Sequence, residues 1–400
     1  MKLPIKPPFP PMEAKLVDSI PSGGNWQYEP KWDGFRCLAF RDGHDVFLQS
    51  KAGQPLARYF PEIVEGVKSL PAKKFVLDGE IVVPVDGELS FDDLLQRIHP
   101  AESRIKKLAT SHPGVYIVFD LLVEDRGSAL IEQQLTVRRS ALELFAKQHI
   151  RNNDRIRLSP ATTDTDQANK WFSGGGSTLD GVMAKRLDCD YRSGLRDGMQ
   201  KIKRMRTAEC VVGGFRYGSK ATKTLGSLLL GLYDDEGLLH HVGFCSSLTQ
   251  KQREELTPKI EKLRKPVEKG GGFSGRAPGG PSRWSTERTG EWEALDQKLV
   301  VEVQYDHFTQ GRFRHGTKFL RWRPDKPPHK CTMDQVTSGK PSLSLLSVDA
   351  SPGRPVQSRR ANKRTPGKAA KDARKGPSRS VPAVRNRAGV QKARRRGKGG

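Results

Sequence analysis

The stretch Glu29-Pro30-Lys31-Trp32-Asp33-Gly34-Phe35-Arg36 brings a potential nucleophile, a carboxylate, a glycine and a guanidinium into eight residues. It reads KxDGxR at the entry to a strand. A lysine taken alone is a solvated surface charge. Lys31 differs by its company. Gly34 directly after Asp33 permits a tight backbone, and strand alternation sets Arg36 on the side of Gly34 and Trp32. A lysine amine attacks phosphorus once desolvation and neighbouring cations lower its pKa. The chain supplies such cations further on. Lys201-Ile202-Lys203 places two ammonium groups on one face of a strand, about 7 Å apart. They repel unless an anion lies between them, and phosphate suits the gap.

Three further segments carry chemistry-bearing types. Leu77-Asp78-Gly79-Glu80-Ile81 sets two carboxylates in a strand-rich region, where an ordinary Asp-Gly turn is the simpler account. Tyr116 to Leu122 is a continuous apolar strand broken only by Asp120, with Phe119 on an aromatic face that on its own reads as core. Asp180-Gly181-Val182-Met183-Ala184-Lys185 places an acid and a lysine five apart.

Many short strands must position these groups. Phe35–Phe40 and Val46–Gln49 flank Arg41-Asp42-Gly43-His44-Asp45, a hairpin by turn chemistry. Phe75–Val83 and Glu88-Leu89 flank a second turn at Pro84-Val85-Asp86-Gly87. Ser90 caps a short helix whose first turn holds Asp92 and Asp93, and Pro100 stops it. Leu135 to Ile150 has a helical period. Gly181–Leu187 and Lys201–Met205 read as strands. After about residue 206 strand pairs dominate: Cys210–Phe215, Ser227–Tyr233, Leu238–Phe244, Leu299–Tyr305 and Phe319–Trp322, with a helix at Thr249–Arg264. Five strands and a helix suit a small OB barrel. Gly270 to Pro281 is a Gly/Pro-rich loop.

The chain has 400 residues and a formal net charge of +25, from 70 Lys+Arg against 45 Asp+Glu. The length predicts two folded domains. Residues 339–400 hold 18 Lys/Arg, 2 Asp/Glu and no aromatic residue. Such a tail cannot bury enough apolar surface to offset the entropy of ordering, which predicts disorder. Tail and body share a basic sign, which points to a polyanion, with nucleic acid the first candidate over a mere solubilising extension. No apolar run approaches a membrane span, and MKLPIKPPFP, without an apolar run before a small-residue cleavage site, predicts no secretory signal. Five scattered cysteines without a CxxC pair support neither a zinc ribbon nor a disulfide framework, and a reducing cytosol fits. Nine histidines include no HExxH, and the Gly174-Gly175-Gly176 run lacks the Lys-Ser/Thr of a P-loop.

The order KWDGFR, LDGEIV, YIVFDLL, DGVMAKR, KIK and Arg321-Trp322-Arg323-Pro324-Asp325-Lys326 resembles the ATP-dependent DNA ligases, within the covalent nucleotidyltransferase superfamily. The resemblance runs from Lys15 to Cys331. The second-domain phrasing, Val300 to Tyr305 and Arg312-Phe313-Arg314-His315, is most similar to the bacterial ligase-C group and to the ligase module of bacterial end-joining enzymes. It implies an α+β chain: an antiparallel-sheet adenylation domain over 1–206, an OB-fold β-barrel over 207–338 and the basic tail from 339. It implies ATP as substrate, held covalently as AMP, with Mg2+ or Mn2+. Lys31 would be the nucleophile and Glu29 would contact adenine. Arg36 and Glu80 would lie near the ribose, Phe119 would stack on the base, and Glu80 and Asp180 would hold metal. Lys51, Lys185, Arg196, Lys201 and Lys203 would contact the nucleotide and its phosphates. Arg323, Asp325 and Lys326 would orient pyrophosphate by closure of the second domain.

The implied partner is duplex DNA with nicks or ends, with an end-binding protein of the Ku type as an accessory, no membrane, and a monomer at the nucleoid of a bacterial cytoplasm. Three positions depart from the family pattern. Asp180 stands where glutamate is commoner, Lys51 where arginine is, and Met199-Gln200 where a tryptophan often precedes KxK. Two alternatives stand beside this reading. One is an RNA ligase or RNA-capping nucleotidyltransferase. The other is a non-catalytic OB-type nucleic-acid-binding protein, which leaves Lys31, Glu80, Asp180 and the lysine pair without a reason to coexist.

Overall fold

A computed structural model of the chain describes residues 1–173, 179–218, 223–279 and 291–336. The Gly174–Gly176 run and the basic segment after 339 lie outside the described residues. The first part runs β1 (Lys15–Val17), β2 (Trp26–Pro30), β3 (Phe35–Asp42), β4 (Asp45–Ser50), α1 (Pro61–Ser69), β5 (Lys74–Val82), β6 (Pro84–Val85), β7 (Glu88–Leu89), α2 (Phe91–Gln96), α3 (Glu102–Ser111), β8 (Val115–Val123) and α4 (Leu135–Phe145). A π-helical turn, Ala146–Ile150, extends α4. Then follow β9 (Ile156–Leu158), α5 (Thr165–Ser173), β10 (Gly181–Arg186) and β11 (Met199–Lys203).

Two sheets result. One has the order β1-β11-β10-β2, and the other β4-β3-β5-β8-β9. Tyr28, Val182, Ala184 and Ile202 of the first pack against Val82, Val115 and Ile117 of the second. The other face of the second sheet is covered by helices, with Ile63 and Val67 of α1 and Leu142 and Phe145 of α4 in one core with Phe75, Leu77 and Val118. These apolar positions recur at helical spacing on α1 and α4 and alternate on the strands, which is why each element buries one face. Asp120, the one acid in the otherwise apolar β8, is explained by α4. Arg138 donates to it from Nε at 2.9 Å and Nη2 at 3.1 Å, both side chains being buried. Removing either partner would strand a buried charge, at a cost of about 3–5 kcal/mol. Ser90 caps α2 as read, accepting from the Asp93 amide.

The second part comprises β12 (Arg206–Tyr217), β13 (Leu225–Tyr233), β14 (Leu239–Cys245), α6 (Gln250–Glu261), β15 (Glu293–Ala294), β16 (Val300–Tyr305), β17 (Phe308–Thr309), β18 (Arg312–Phe313) and β19 (Lys318–Trp322). Its sheet has the order β14-β13-β12-β16-β19, with β15 beside β12. A parallel bridge from Cys245 to Thr317 joins the two ends of that order. A single core of Val211, Phe215, Leu228, Leu230, Val301 and Val303 fills it. Thr249 and Gln252 form a capping box on α6. The short β17–β18 hairpin turns through Gln310 and Gly311, both at positive φ. All five cysteines are buried and unpaired. Among the described residues no helix is long and apolar enough to cross a membrane.

Candidate active site

Lys31 lies on the crossing between the two sheets of the first part, after β2 in one and before β3 in the other. Two glycines let the strands close around it. A Cβ on Gly34 would run into the Ile81 carbonyl oxygen of β5, and one on Gly181, at φ +144, would run into the Ile202 carbonyl oxygen of β11. The Lys31 amide donates to the Gly181 carbonyl at 3.0 Å. Its ammonium forms an ion pair with Asp180, on the residue beside that glycine. Burial holds the Lys31 pKa below the usual lysine value. Asp33 and Glu80 oppose that shift, while Lys203 and Lys201 reinforce it.

A cleft opens above this lysine, lined by Glu29, Arg36, Lys51, Glu80, Phe119, Lys185 and Lys201. Glu29 and Lys185 are diagonal neighbours on paired strands, 2.8 Å apart and buried, and Gln27 donates to Glu29 at 2.7 Å. Two cations lie over the Phe119 ring, Lys185 Nζ at 4.5 Å and Arg36 Cζ at 4.6 Å from its centre. Arg36 is aimed by Asp78, to which it donates at 2.5 and 2.6 Å. The Asp78 carboxylate is wholly buried and also accepts from the Tyr191 hydroxyl at 2.6 Å. Burial pushes the Glu80 carboxyl up to about 7, against the pull of Arg36 and Lys31.

Residues Pro11, Met12, Glu13 and Ala14 form another wall. The motif reading missed this segment. The Arg36 Nη2 donates to the Met12 carbonyl at 3.4 Å, and the Met12 amide donates to Tyr191 Oη at 3.0 Å. The Pro-rich opening hides no periodic signal that would reveal such a strap.

The second part reaches into the same region through residues 306–315. Arg314 donates to both oxygens of Asp33 at 2.8 Å and lies over the Phe91 ring, with Cζ 3.5 Å from its centre. Burial alone would raise the Asp33 carboxyl, but the Arg314 hydrogen bonds hold it below the usual range. Asp306 accepts from Lys203 Nζ at 2.8 Å and contacts His315 Nδ1 at 2.9 Å. His307 Nε2 contacts Asp180, and burial brings its pKa down to about 4. Among the described residues, Asp33, Asp180 and His307 offer ligand atoms within 4.8 Å of one another. Two hard oxygens and one imidazole fit a divalent cation, Mn2+ more readily than Mg2+. Glu80, expected beside Asp180 as a metal ligand, is not in that group, because its strand places it with Arg36 inside the cleft.

Other expected residues fall elsewhere. Arg196 is on the rim, mostly exposed, and donates to Glu13 at 2.9 Å. Lys203 points to Asp306, while Lys201 lines the cleft. Arg323, Asp325 and Lys326 are not brought to the cleft at all. Arg323 pairs with Glu209 and Asp325, and Lys326 pairs with Glu209 at 2.5 Å, on the second part's own sheet. Chemically, the site offers a buried amine, several cations lining one cleft, and a phenyl ring.

Comparison with known proteins finds likenesses over most of the chain. Residues 11–203 match the family "ATP dependent DNA ligase domain", and residues 221–326 match "ATP dependent DNA ligase C terminal region". The chain is 44% identical to DNA ligase C1 of Mycolicibacterium smegmatis over 84% of this chain and 96% of that one. It is 40% identical to DNA ligase C of Mycobacterium tuberculosis over 88% and 99%. It is 30% identical to a multifunctional non-homologous end joining protein of Pseudomonas aeruginosa, over 86% of this chain and 39% of that one.

Proposed function

The chain belongs to the ATP-dependent DNA ligase family, and from that premise we propose that it seals breaks in duplex DNA through an adenylate carried on Lys31. The observation that supports this most is the placement of Lys31: paired with Asp180, depressed in pKa by burial, and at the base of a cleft walled by Glu29, Arg36, Phe119 and Lys185. A buried amine spends more of its time with its lone pair free than an exposed one at the same pH.

In the first step the Lys31 nitrogen forms a bond to the α-phosphorus of ATP. The bond to the bridging oxygen breaks, pyrophosphate departs with that electron pair, and the amine proton passes towards Asp180 or solvent. In the second step an oxygen of a DNA 5′-phosphate attacks the same phosphorus. The N–P bond breaks and Lys31 regains a proton. In the third step the 3′-hydroxyl oxygen attacks the activated 5′-phosphate and AMP leaves, closing the strand. Each step is displacement at phosphorus, where alignment and positive charge do most of the catalysis.

Glu29 reads the adenine edge and Phe119 stacks on its face. Arg36 and Glu80 face the ribose, and a carboxyl with a pKa of about 7 both donates and accepts at a hydroxyl near neutral pH. Lys51, Lys185, Lys201, Lys203 and Arg196 serve phosphate oxygens. Asp33, Asp180 and His307 would hold the cation, Mg2+ or Mn2+, which when bound neutralises phosphate charge. Arg323, Asp325 and Lys326 serve pyrophosphate departure only after the second part has turned to bring them over the cleft. The arrangement described above suits the later steps, when pyrophosphate is gone. The likeness to an end-joining protein supports a repair role, with a Ku-type protein at the ends and a single ligase subunit at the nucleoid. The basic segment after 339 adds phosphate contacts by counterion release. Incubation with labelled ATP and each metal, followed by nicked, cohesive-ended and blunt duplexes, tests the reading. Absence of labelled protein and of sealed product would refute it.

A further inference from the structure

Glu13 stands at the rim of the cleft between two cations assigned above to phosphate. Its carboxylate accepts from Arg196 Nε at 2.9 Å and lies 3.2 Å from Lys51 Nζ. Lys201 is close enough that Lys51, Arg196 and Glu13 all act on its ammonium. The backbone beneath Glu13 is pinned. Its amide donates to the Leu195 carbonyl at 2.8 Å, the Gly194 amide donates to Pro11 at 3.2 Å, and the Ser193 hydroxyl donates to Pro10 at 2.6 Å. The side chains are a different matter. The Glu13 side chain is 25% exposed, that of Lys51 58% and that of Arg196 71%. The carboxylate can therefore leave its partners without any backbone element moving.

A carboxylate offers two anionic oxygens, as a phosphate does, and Arg and Lys bind both in the same manner. With no phosphate present, Lys51, Arg196 and Lys201 would repel one another, and Glu13 relieves that repulsion. Once phosphate arrives, Glu13 is a like charge beside it and is driven out. We propose that Glu13 is an internal stand-in for phosphate, a displaceable counterion that weakens the grip of the rim cations on incoming and departing phosphate groups. Two sources share that chemistry, the triphosphate of ATP with its pyrophosphate product, and the 5′-phosphate of the DNA. The inference rests on the assignment of the cleft to ATP. It makes Glu13 a residue that sets affinity and release and takes no part in bond making.

The test uses the full chain and Glu13→Gln, which keeps shape and removes charge. One arm measures the KM for ATP in adduct formation and the pyrophosphate concentration that strips AMP from the protein. The other measures the concentration of nicked duplex that half-saturates AMP transfer from purified adenylylated protein. In at least one arm the constant should fall roughly three- to ten-fold, the sum of two exposed ion pairs. The gain should shrink as salt screens it. A fall in the first arm alone identifies the triphosphate, and a fall in the second alone the DNA phosphate. Constants that rise or stay unchanged in both arms overturn the inference. Adenosine, which lacks phosphate, should shift the melting temperature of wild type and variant equally, and an unequal shift would also overturn it. Should Glu13→Gln not fold, Glu13→Ala, which also removes the charge, takes its place with the same direction required. Wild-type protein that takes no label from ATP would sink the ligase reading instead.

Discussion

Arg314 grips Asp33 with both terminal nitrogens, each 2.8 Å from a carboxylate oxygen, across 281 positions of sequence. Asp33 is two residues from Lys31, so this pair ties the second part of the chain beside that lysine. Arg323 and Lys326 meanwhile pair with Glu209 on the second part's own sheet and line no part of the cleft. On the proposed function this geometry would serve the steps on DNA, and a different one would be needed for attack on ATP.

Arg314→Ala should therefore separate the steps. Adduct formation with ATP should survive, because the pair must open for that step. Sealing of a nick that already carries a 5′-adenylate should slow about thirty-fold or more, the loss expected when one partner of a shielded charge pair is truncated. A rapid-quench comparison of the two reactions checks this, and equal losses in both would contradict it.

Lys326→Ala should give the opposite pattern. On the proposed function its ammonium would be needed only while pyrophosphate is leaving. Labelling by ATP should fall by about two orders of magnitude, the scale of one charge-stabilising group, while sealing of the pre-adenylylated nick persists. Equal loss in both would mean the residue only ties β19 to β12.

The Asp33, Asp180 and His307 group makes a prediction about metals. His307→Ala removes the nitrogen donor and leaves two carboxylates. The Mn2+ concentration for half-maximal sealing of a nick that already carries a 5′-adenylate should rise about ten-fold or more, and that for Mg2+ should rise less, since Mg2+ favours oxygen. A titration with each metal decides it. An unchanged ratio would show that His307 stays off the metal.

Glu80 links the site to stability. Its carboxyl is raised to about 7 by burial, so the folded state holds its proton more tightly than the unfolded chain. Its stabilising contribution is complete below the unfolded value, about 4.3, and is lost as pH rises through the folded value. Glu80→Gln keeps the shape and cannot ionise. Between about pH 5 and 8 the wild-type Tm should fall relative to that of Glu80→Gln. Parallel Tm curves would contradict the assignment.

Much of this was legible from local sequence. Gly43 in the β3–β4 turn and Ser90 at the start of α2 act through neighbours within four residues, and such effects leave a pattern. The residues around Lys31 were legible for a different reason: their order along the chain matches the family's. α1 was readable but unread, since Pro61 and Glu62 mark its start and Ile63 and Val67 lie four apart. The strap at Pro11–Ala14 and the contacts of His307 and Arg314 leave no such pattern. They depend on distant segments meeting, and an acid such as Asp33 does not announce which arginine will reach it. The same limit separated Glu80 from the metal group, because only the folded strands show which carboxylates face each other.

The account stands or falls on Lys31. Wild-type protein incubated with ATP and Mg2+ or Mn2+, digested, and read by peptide mass should carry one AMP on the Lys31 peptide, in an acid-labile bond. Lys31→Arg should carry none and should fail to seal a plain nick. An AMP found on any other residue, or undiminished labelling of Lys31→Arg, would contradict the account.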